Sequence, residues 1–291
     1  MKTCHSEYGT IESLWIKPAT AAFRDQQTLS SQWKELNYLD EPVYQKALEE
    51  YEKFQSNFNR ENIDLHFFQV DDSVMMDSIY CRDAAIGTDH GMIICNMGKG
   101  GRVNEPEAQA KAYKSAGFEI LGTITEPGTL EGGDVAWLDE NTLAVGHTYR
   151  TNLEGIKQLE ALLNPKGVEV ITVELPHYKG PSDVFHLMSI LSPVDKNLAV
   201  VYSPLMPIKF RNTLIDRGFK FVEVPEEEFE SMGCNVLALA ARKCLMVEGN
   251  PITAARLKSA GCEVITYPGK EISVKGGGGP TCLTRPVYRE I

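Results

Sequence analysis

Apolar and polar positions along the chain change period in a fixed order. A stretch with apolar residues three or four apart ends at a Gly or Asn. A short run alternating at every second position follows, then a polar loop, then two apolar runs split by a turn signal. The first spacing predicts an amphipathic helix, the Gly its C-terminal stop, and the alternation a half-buried strand. The helix–turn–strand part occurs five times, as VYQKALEEYEKFQSNFNRENIDLHFFQV, EAQAKAYKSAGFEILGTI, NLEGIKQLEALLNPKGVEVITV, IKFRNTLIDRGFKFVEV and PITAARLKSAGCEVITY. The strand pairs read DAAIGTDHGMIICNM, DVAWLDENTLAVGHT, HLMSILSPVDKNLAVVYS and NVLALAARKCLMVEG. A fifth pair needs CLTRPVYREI from one end of the chain and IESLWIKP from the other, which would close a ring.

A repeat of roughly 45 to 55 residues belongs to propellers and arrays, because one such unit cannot bury its own apolar face. The alternative is an ordinary α/β sheet whose units look alike because they obey the same physics. The shared Ser-Ala-Gly before Phe118 and Cys262 weighs against it. Residues 1–291 are therefore expected to form one domain. Pro18 to Glu41 fits no repeat and reads as an insertion and candidate lid. The Gly-rich stretch Met97 to Pro106 is a second candidate mobile loop.

A net charge of −11 with no basic stretch argues against nucleic-acid binding and is compatible with cationic ligands. No run approaches the roughly 20 apolar residues of a membrane helix, and residues 1–20 lack a signal-peptide core, so no membrane is expected and the cytoplasm is the expected location. The seven cysteines (Cys4, Cys81, Cys95, Cys234, Cys244, Cys262 and Cys282) are odd in number, with no CxxC and no Cys/His pair at zinc spacing. Disulfide and zinc readings are poor, and most of these cysteines read as small buried hydrophobes.

Chemistry concentrates at one position of the repeat, the loop between the single strand and the following pair. It holds Asp77 and Asp83 in MMDSIYCRDAA, Glu131 in TLEGGDVA, His186 in SDVFHLMS, Cys234 and Asn235 in the fourth unit, and Cys282 in KGGGGPTCLTRP. Each alone has a bland reading: a structural cysteine, a loop histidine, a turn carboxylate, a solvated acid. Around a pseudo-fivefold axis these loops would converge, and one shared pocket explains them better than separate coincidences.

Together these residues resemble the guanidino-group-modifying enzymes, or pentein superfamily, which includes arginine deiminase, amidinotransferases and dimethylarginine dimethylaminohydrolase. EYG near the start, DSxxxRD from Asp77 to Asp83, LEGGD, the RTN of Arg150 to Asn152, FHL around His186 and GGGGxxC ending at Cys282 occur in that family's order. The resemblance implies a five-bladed α/β propeller of ββαβ-type repeats with a Cys-His-Glu set and neither metal nor cofactor. It implies Cys282 as nucleophile, His186 as general acid and base, and Glu131 as partner of His186 or of the guanidinium. Asp83 and Asp77 would bind guanidinium nitrogens, and Arg150 a substrate carboxylate.

Deiminases and amidinotransferases resemble each other in an HxD pair whose aspartate clamps unsubstituted nitrogens; here that position is Met188, which would tolerate N-methyl groups. Thr281 stands before Cys282 where many deiminases have His. The expected activity is therefore hydrolysis of a C–N bond in a methylated arginine or a related guanidino compound, through a covalent S-alkylthiouronium, giving a ureido product and an amine. An amidinotransferase and a non-catalytic binding protein resembling translation initiation factor six remain open at this point, as does a homo-oligomer.

Overall fold

The computed structural model describes residues 2–291, and their strands form five small sheets. Four are three-stranded: Ala85–Thr88, Gly91–Ile94 and Ile120–Thr123; Val135–Asp139, Thr142–His147 and Glu169–Glu174; Leu191–Asp195, Leu198–Val201 and Lys220–Glu223; and Leu237–Ala240, Lys243–Val247 and Glu263–Tyr267. In each, an antiparallel hairpin is followed by a helix that crosses to a third strand, parallel to the second. The crossover helices are Glu105–Ser115, Leu153–Leu163, Ile208–Asp216 and Pro251–Ser259. Parallel pairing requires such a crossover, and the helix covers one face of its sheet.

The remaining blade is built from both ends of the sequence. Thr284–Glu290 pairs antiparallel with Thr10–Ile16 in the register Thr284↔Ile16 to Glu290↔Thr10, and Thr10–Ile16 pairs parallel with Asp64–Phe67. Its helix, Tyr44–Arg60, buries Ala47, Tyr51, Phe54 and Phe58, whose spacing of four, three and four places them on one face. The Phe54 ring meets Tyr267 of the neighbouring blade at 4.8 Å between centroids.

After four of the five helices the chain turns through a glycine with φ near +80° (Gly117, Gly167, Gly218 and Gly261). Asn62, φ +55°, takes that position in the fifth. A left-handed residue closes the last helical turn, and only Gly and Asn adopt it cheaply. Neighbouring blades touch through their inner strands, with Thr284–Glu290 against Ala85–Thr88, Val135–Asp139 against Leu191–Asp195, Leu191–Asp195 against Leu237–Ala240, and Leu237–Ala240 against the middle strand Thr10–Ile16 of the terminal blade. The result is the five-bladed α/β propeller expected from the repeat.

The middle of the ring is polar. Buried Arg82 donates to Glu7 at 2.7 Å, buried Arg289 to the carbonyl of Ala238 at 2.8 Å, and Arg285 to the carbonyl of Arg82. These contacts join the blade built from both ends of the sequence to the blades that begin at Ala85–Thr88 and Leu237–Ala240. The insertion 18–41 packs Phe23, Leu29, Leu36 and Tyr38 into the core and forms short helices at Ala19–Ala22 and Gln26–Gln32. No helix among the described residues is long and apolar enough to cross a membrane.

Candidate active site

The loops that lead from the third strand of one blade to the first strand of the next all open at one end of the ring. They place Asp77, Asp83, Glu131, His186 and Cys282 around one chamber of about 20 Å³, and Arg150 joins them from the turn between the strand Thr142–His147 and the helix Leu153–Leu163. An outer mouth of about 130 Å³ shares Cys282 and His186 with it and is walled by Met188, Tyr178, Phe185, Phe229, Met232 and Leu39. The seven residues to which the resemblance gave a role thus come together, six in the chamber and Met188 in the mouth, where Cys234 and Asn235 of the fourth unit also lie. The insertion contributes Asn37 and Leu39 to the same mouth.

Cys282 is partly buried behind the glycine run Gly276–Gly279. Gly277 has φ +75°, and a Cβ on Gly278 or Gly279 would fall 2.5 Å from the Tyr80 ring or the Asn235 side chain. The run therefore lets the backbone pass close enough to bring Cys282 onto the chamber. Asn235 Nδ2 donates to the Cys282 Sγ at 3.4 Å, while its Oδ1 accepts from the Thr281 amide at 3.0 Å and the Thr281 hydroxyl at 2.9 Å. Burial pushes the thiol pKa up and the Asp83 charge adds to this; Asn235, Thr281 and Arg82 pull the other way. The resting sulfur is a neutral thiol. A guanidinium beside it would reverse the balance, because a nearby cation favours the thiolate. In a pH titration followed at the thiolate absorbance, Cys282 is expected to ionise above the ordinary thiol range in the free protein, and at lower pH once a guanidinium compound is bound. A titration at the same pH with and without ligand would refute this.

His186 Nε2 lies 2.8 Å from Glu131 Oε2, both fully within the protein. Burial disfavours the imidazolium, yet the charges of Asp134 and Asp83 and the Glu131 hydrogen bond outweigh it, and the His186 pKa rises to about 9. For Glu131 burial again works against charge, and its contact with His186 together with Arg150 and Arg102 holds the carboxyl below the usual carboxylate range. Asp134 positions the histidine segment: it accepts from the Leu187 amide at 3.0 Å and the Thr148 hydroxyl at 2.7 Å. Gly133 lies against the ring, where a Cβ would meet His186 Nδ1 at 2.5 Å. At neutral pH the site therefore holds a protonated imidazole beside a neutral thiol.

Asp77 and Asp83 are buried, and each has one oxygen already paired. Lys99 Nζ contacts Asp77 Oδ2 at 2.5 Å and Leu36 O at 2.7 Å. Arg102 Nη1 contacts Asp83 Oδ2 at 2.5 Å, and its other nitrogens hold Glu105 at 2.9 and 2.8 Å. The second oxygens, Asp77 Oδ1 and Asp83 Oδ1, are buried without a hydrogen-bond partner. Leaving a buried acceptor unpaired costs ~1–3 kcal/mol, so two of them beside one thiol form a receptor for N–H donors. Arg150 lies 3.7 Å from Glu131 Oε1 and donates to Asp183 O at 3.2 Å. Asp83, Glu131 and His186 also offer ligand atoms within 4.8 Å of one another, a grouping able to take a divalent cation. In the structure those atoms already face Arg102 and each other.

Sequence reasoning missed Lys99, Arg102 and Asp134. Lys99 and Arg102 come from the stretch 97–106, read as a mobile loop; here it forms a short helical turn at Gly100–Arg102 with Arg102 buried. Arg and Glu three apart, at 102 and 105, were the available signal for a buried ion pair. Asp134 stood in the LEGGD motif, overshadowed by Glu131.

A family model described as "N,N dimethylarginine dimethylhydrolase, eukaryotic" matches residues 17–289. The N(G),N(G)-dimethylarginine dimethylaminohydrolase of Streptomyces coelicolor is 31% identical over 208 residues, covering 72% of this chain and 73% of the relative. Among solved structures, a cysteine-to-serine variant of the Pseudomonas aeruginosa dimethylarginine dimethylaminohydrolase in complex with citrulline superposes with a TM-score of 0.76 at 22% identity, covering 94% of this chain and 98% of that one. The N-terminal domain of the cyanobacterial arginine dihydrolase ArgZ gives 0.79 at 19% identity, covering 97% and 99%.

Proposed function

We propose, for a chain that belongs to the N,N dimethylarginine dimethylhydrolase family and so to the hydrolases of guanidino C–N bonds, that residues 1–291 act as one catalytic domain on an N-substituted guanidinium such as a methylated arginine. The observation that carries the reading is the pair of orphaned carboxylate oxygens, Asp77 Oδ1 and Asp83 Oδ1, lining the chamber with the Cys282 thiol and the Glu131-linked imidazole.

The guanidinium nitrogens would donate to those two oxygens, placing the cation beside Cys282. Its field lowers the thiol pKa so that the S–H proton is lost to solvent, and the thiolate adds to the central carbon. Collapse expels the substituted nitrogen as an amine, protonated by His186, and leaves an S-alkylthiouronium on Cys282. His186, now neutral, takes a proton from water. The hydroxide attacks the same carbon, the C–S bond breaks, the added hydroxyl's proton passes to the departing thiolate, and a neutral ureido product leaves with the thiol restored. Water is consumed and one amine released per turnover.

Met188 supports the N-substituted reading. It is 3% exposed on the mouth, beside His186 and Cys282, and offers an apolar thioether rather than a carboxylate to the departing nitrogen. Arg150 supports a substrate with a carboxylate, since it lines the chamber and its hydrogen bond to Asp183 O can be exchanged for a bidentate one. The test is an end-point mass-spectrometric assay against arginine, its mono- and asymmetric dimethyl derivatives, agmatine, guanidino acids and citrulline. Methylamine or dimethylamine appearing with citrulline is the expected result. Ammonia released from another guanidino or ureido compound keeps the chemistry and replaces the substrate, and amidino transfer to added glycine or ornithine would overturn hydrolysis.

Lys99 modulates binding. Lys99 pairs with Asp77, while Arg102 is shared by Asp83 and Glu105. Lys99→Met leaves one charge uncompensated and is expected to lower KM for a cationic guanidine by about tenfold, with little change for neutral citrulline as an inhibitor. A KM that rises, or an equal change for both ligands, contradicts the role.

A further inference from the structure

A second cleft, of about 410 Å³, shares no lining residue with either compartment of the active site. Its walls come from the strand end at Trp15 and Lys17, from Phe67, Val70 and Val74, from Ser78, and from Ala108 and Ala112 on the helix Glu105–Ser115. Most of this surface is apolar, and Phe67 and Val70 are exposed on it.

Three polar groups on these walls stand without partners. Among the described residues, Lys17, 4% exposed, forms neither a side-chain hydrogen bond nor an ion pair, and Trp15 Nε1 and Ser78 Oγ are buried with no hydrogen-bond partner. The nearby acids are already engaged. Glu105 is held by Arg102 at two points, and Asp71 accepts from the Ser73 amide at 2.9 Å and its hydroxyl at 2.6 Å. Lys111, the other lysine on the rim, pairs with Glu107 at 2.9 Å. Lys17 is therefore the uncommitted cation of the cleft. Two neutral donors buried unpaired beside an ammonium that no side chain engages cost stability unless an acceptor arrives to meet them.

We propose that this cleft binds a small organic carboxylate with an apolar body, its carboxylate accepting from Lys17 and from the Ser78 hydroxyl and Trp15 indole, its body against Phe67, Val70, Val74 and Ala112. One free cation in a mostly apolar wall suits a monoanion better than a doubly charged, strongly hydrated phosphate ester. Burial also holds the Lys17 pKa below the usual lysine range, with Glu105 and Asp71 opposing, which is the state an added anion would relieve.

The test uses 4-phenylbutyrate and its neutral amide as probes, with binding to the full chain followed by calorimetry and by the indole N–H resonance of Trp15. Saturable binding of the carboxylate is expected, at least roughly tenfold tighter than the amide. Lys17→Met should remove that preference, and Ala112→Leu, which narrows the cleft without touching Lys17, should weaken both probes. Arg150→Leu should leave binding intact, which separates this cleft from the active-site arginine. Equal affinity for acid and amide, no saturation by about 10 mM, or loss in Arg150→Leu with retention in Lys17→Met would each overturn the proposal.

Discussion

Cys282→Ser is expected to lower turnover by more than about 10⁴-fold while changing substrate Kd by less than about threefold. The reasoning is local. A serine hydroxyl is far harder to ionise than a thiol, so the cation bound beside it cannot generate the nucleophile, whereas the acceptors Asp77 Oδ1 and Asp83 Oδ1 are untouched. Amine release over long incubation measures the first quantity, calorimetry the second, and intact-protein mass spectrometry with a haloamidine should show an adduct on the wild type alone. Turnover within tenfold of wild type would remove Cys282 from the mechanism; a lost Kd would mean that the substitution disturbed the clamp.

Glu131→Gln is the second large effect, a fall in kcat of about 10²–10⁴-fold. The His186 pKa of about 9 depends in part on the Glu131 hydrogen bond at 2.8 Å. Without that carboxylate the imidazole gives up its proton at lower pH, so the alkaline limb of the rate profile should move toward neutrality. The same shift has a consequence for folding. Because the folded pKa lies above the ordinary value of 6.5, the protonated His186 contributes stability that is complete below pH 6.5 and is lost as pH rises through about 9. Wild type should therefore lose stability across that window and Glu131→Gln should lose less. An unmoved alkaline limb would show that Glu131 acts otherwise than through the proton of His186.

The repeat and its consequences were legible because they rest on local rules. Helix spacing, the Gly or Asn stop and the two-fold alternation recur in every blade, so the pairing of residues 10–16 with 284–290 followed from counting units. Position within the repeat also pointed to one shared chamber, since Asp77, Glu131, His186 and Cys282 occupy equivalent loops. What stayed hidden depends on where a long flexible side chain ends. Lys99 and Arg102 lie in a stretch whose glycines suggested motion, and nothing in sequence spacing shows that their cations reach Asp77 and Asp83 from another loop. Lys17 was hidden for a similar reason: it follows an apolar strand, where a lysine ordinarily turns its amine to water.

The seam of the first blade bears on when the protein can react. Cys282 stands two residues before Thr284–Glu290, the strand that zips against Thr10–Ile16 and completes the circle. The other four blades, with the loops that carry His186 and Glu131, all precede this segment in the sequence. On the mechanism proposed above, the nucleophile arrives with the segment that zips against Thr10–Ile16, so activity requires that closure.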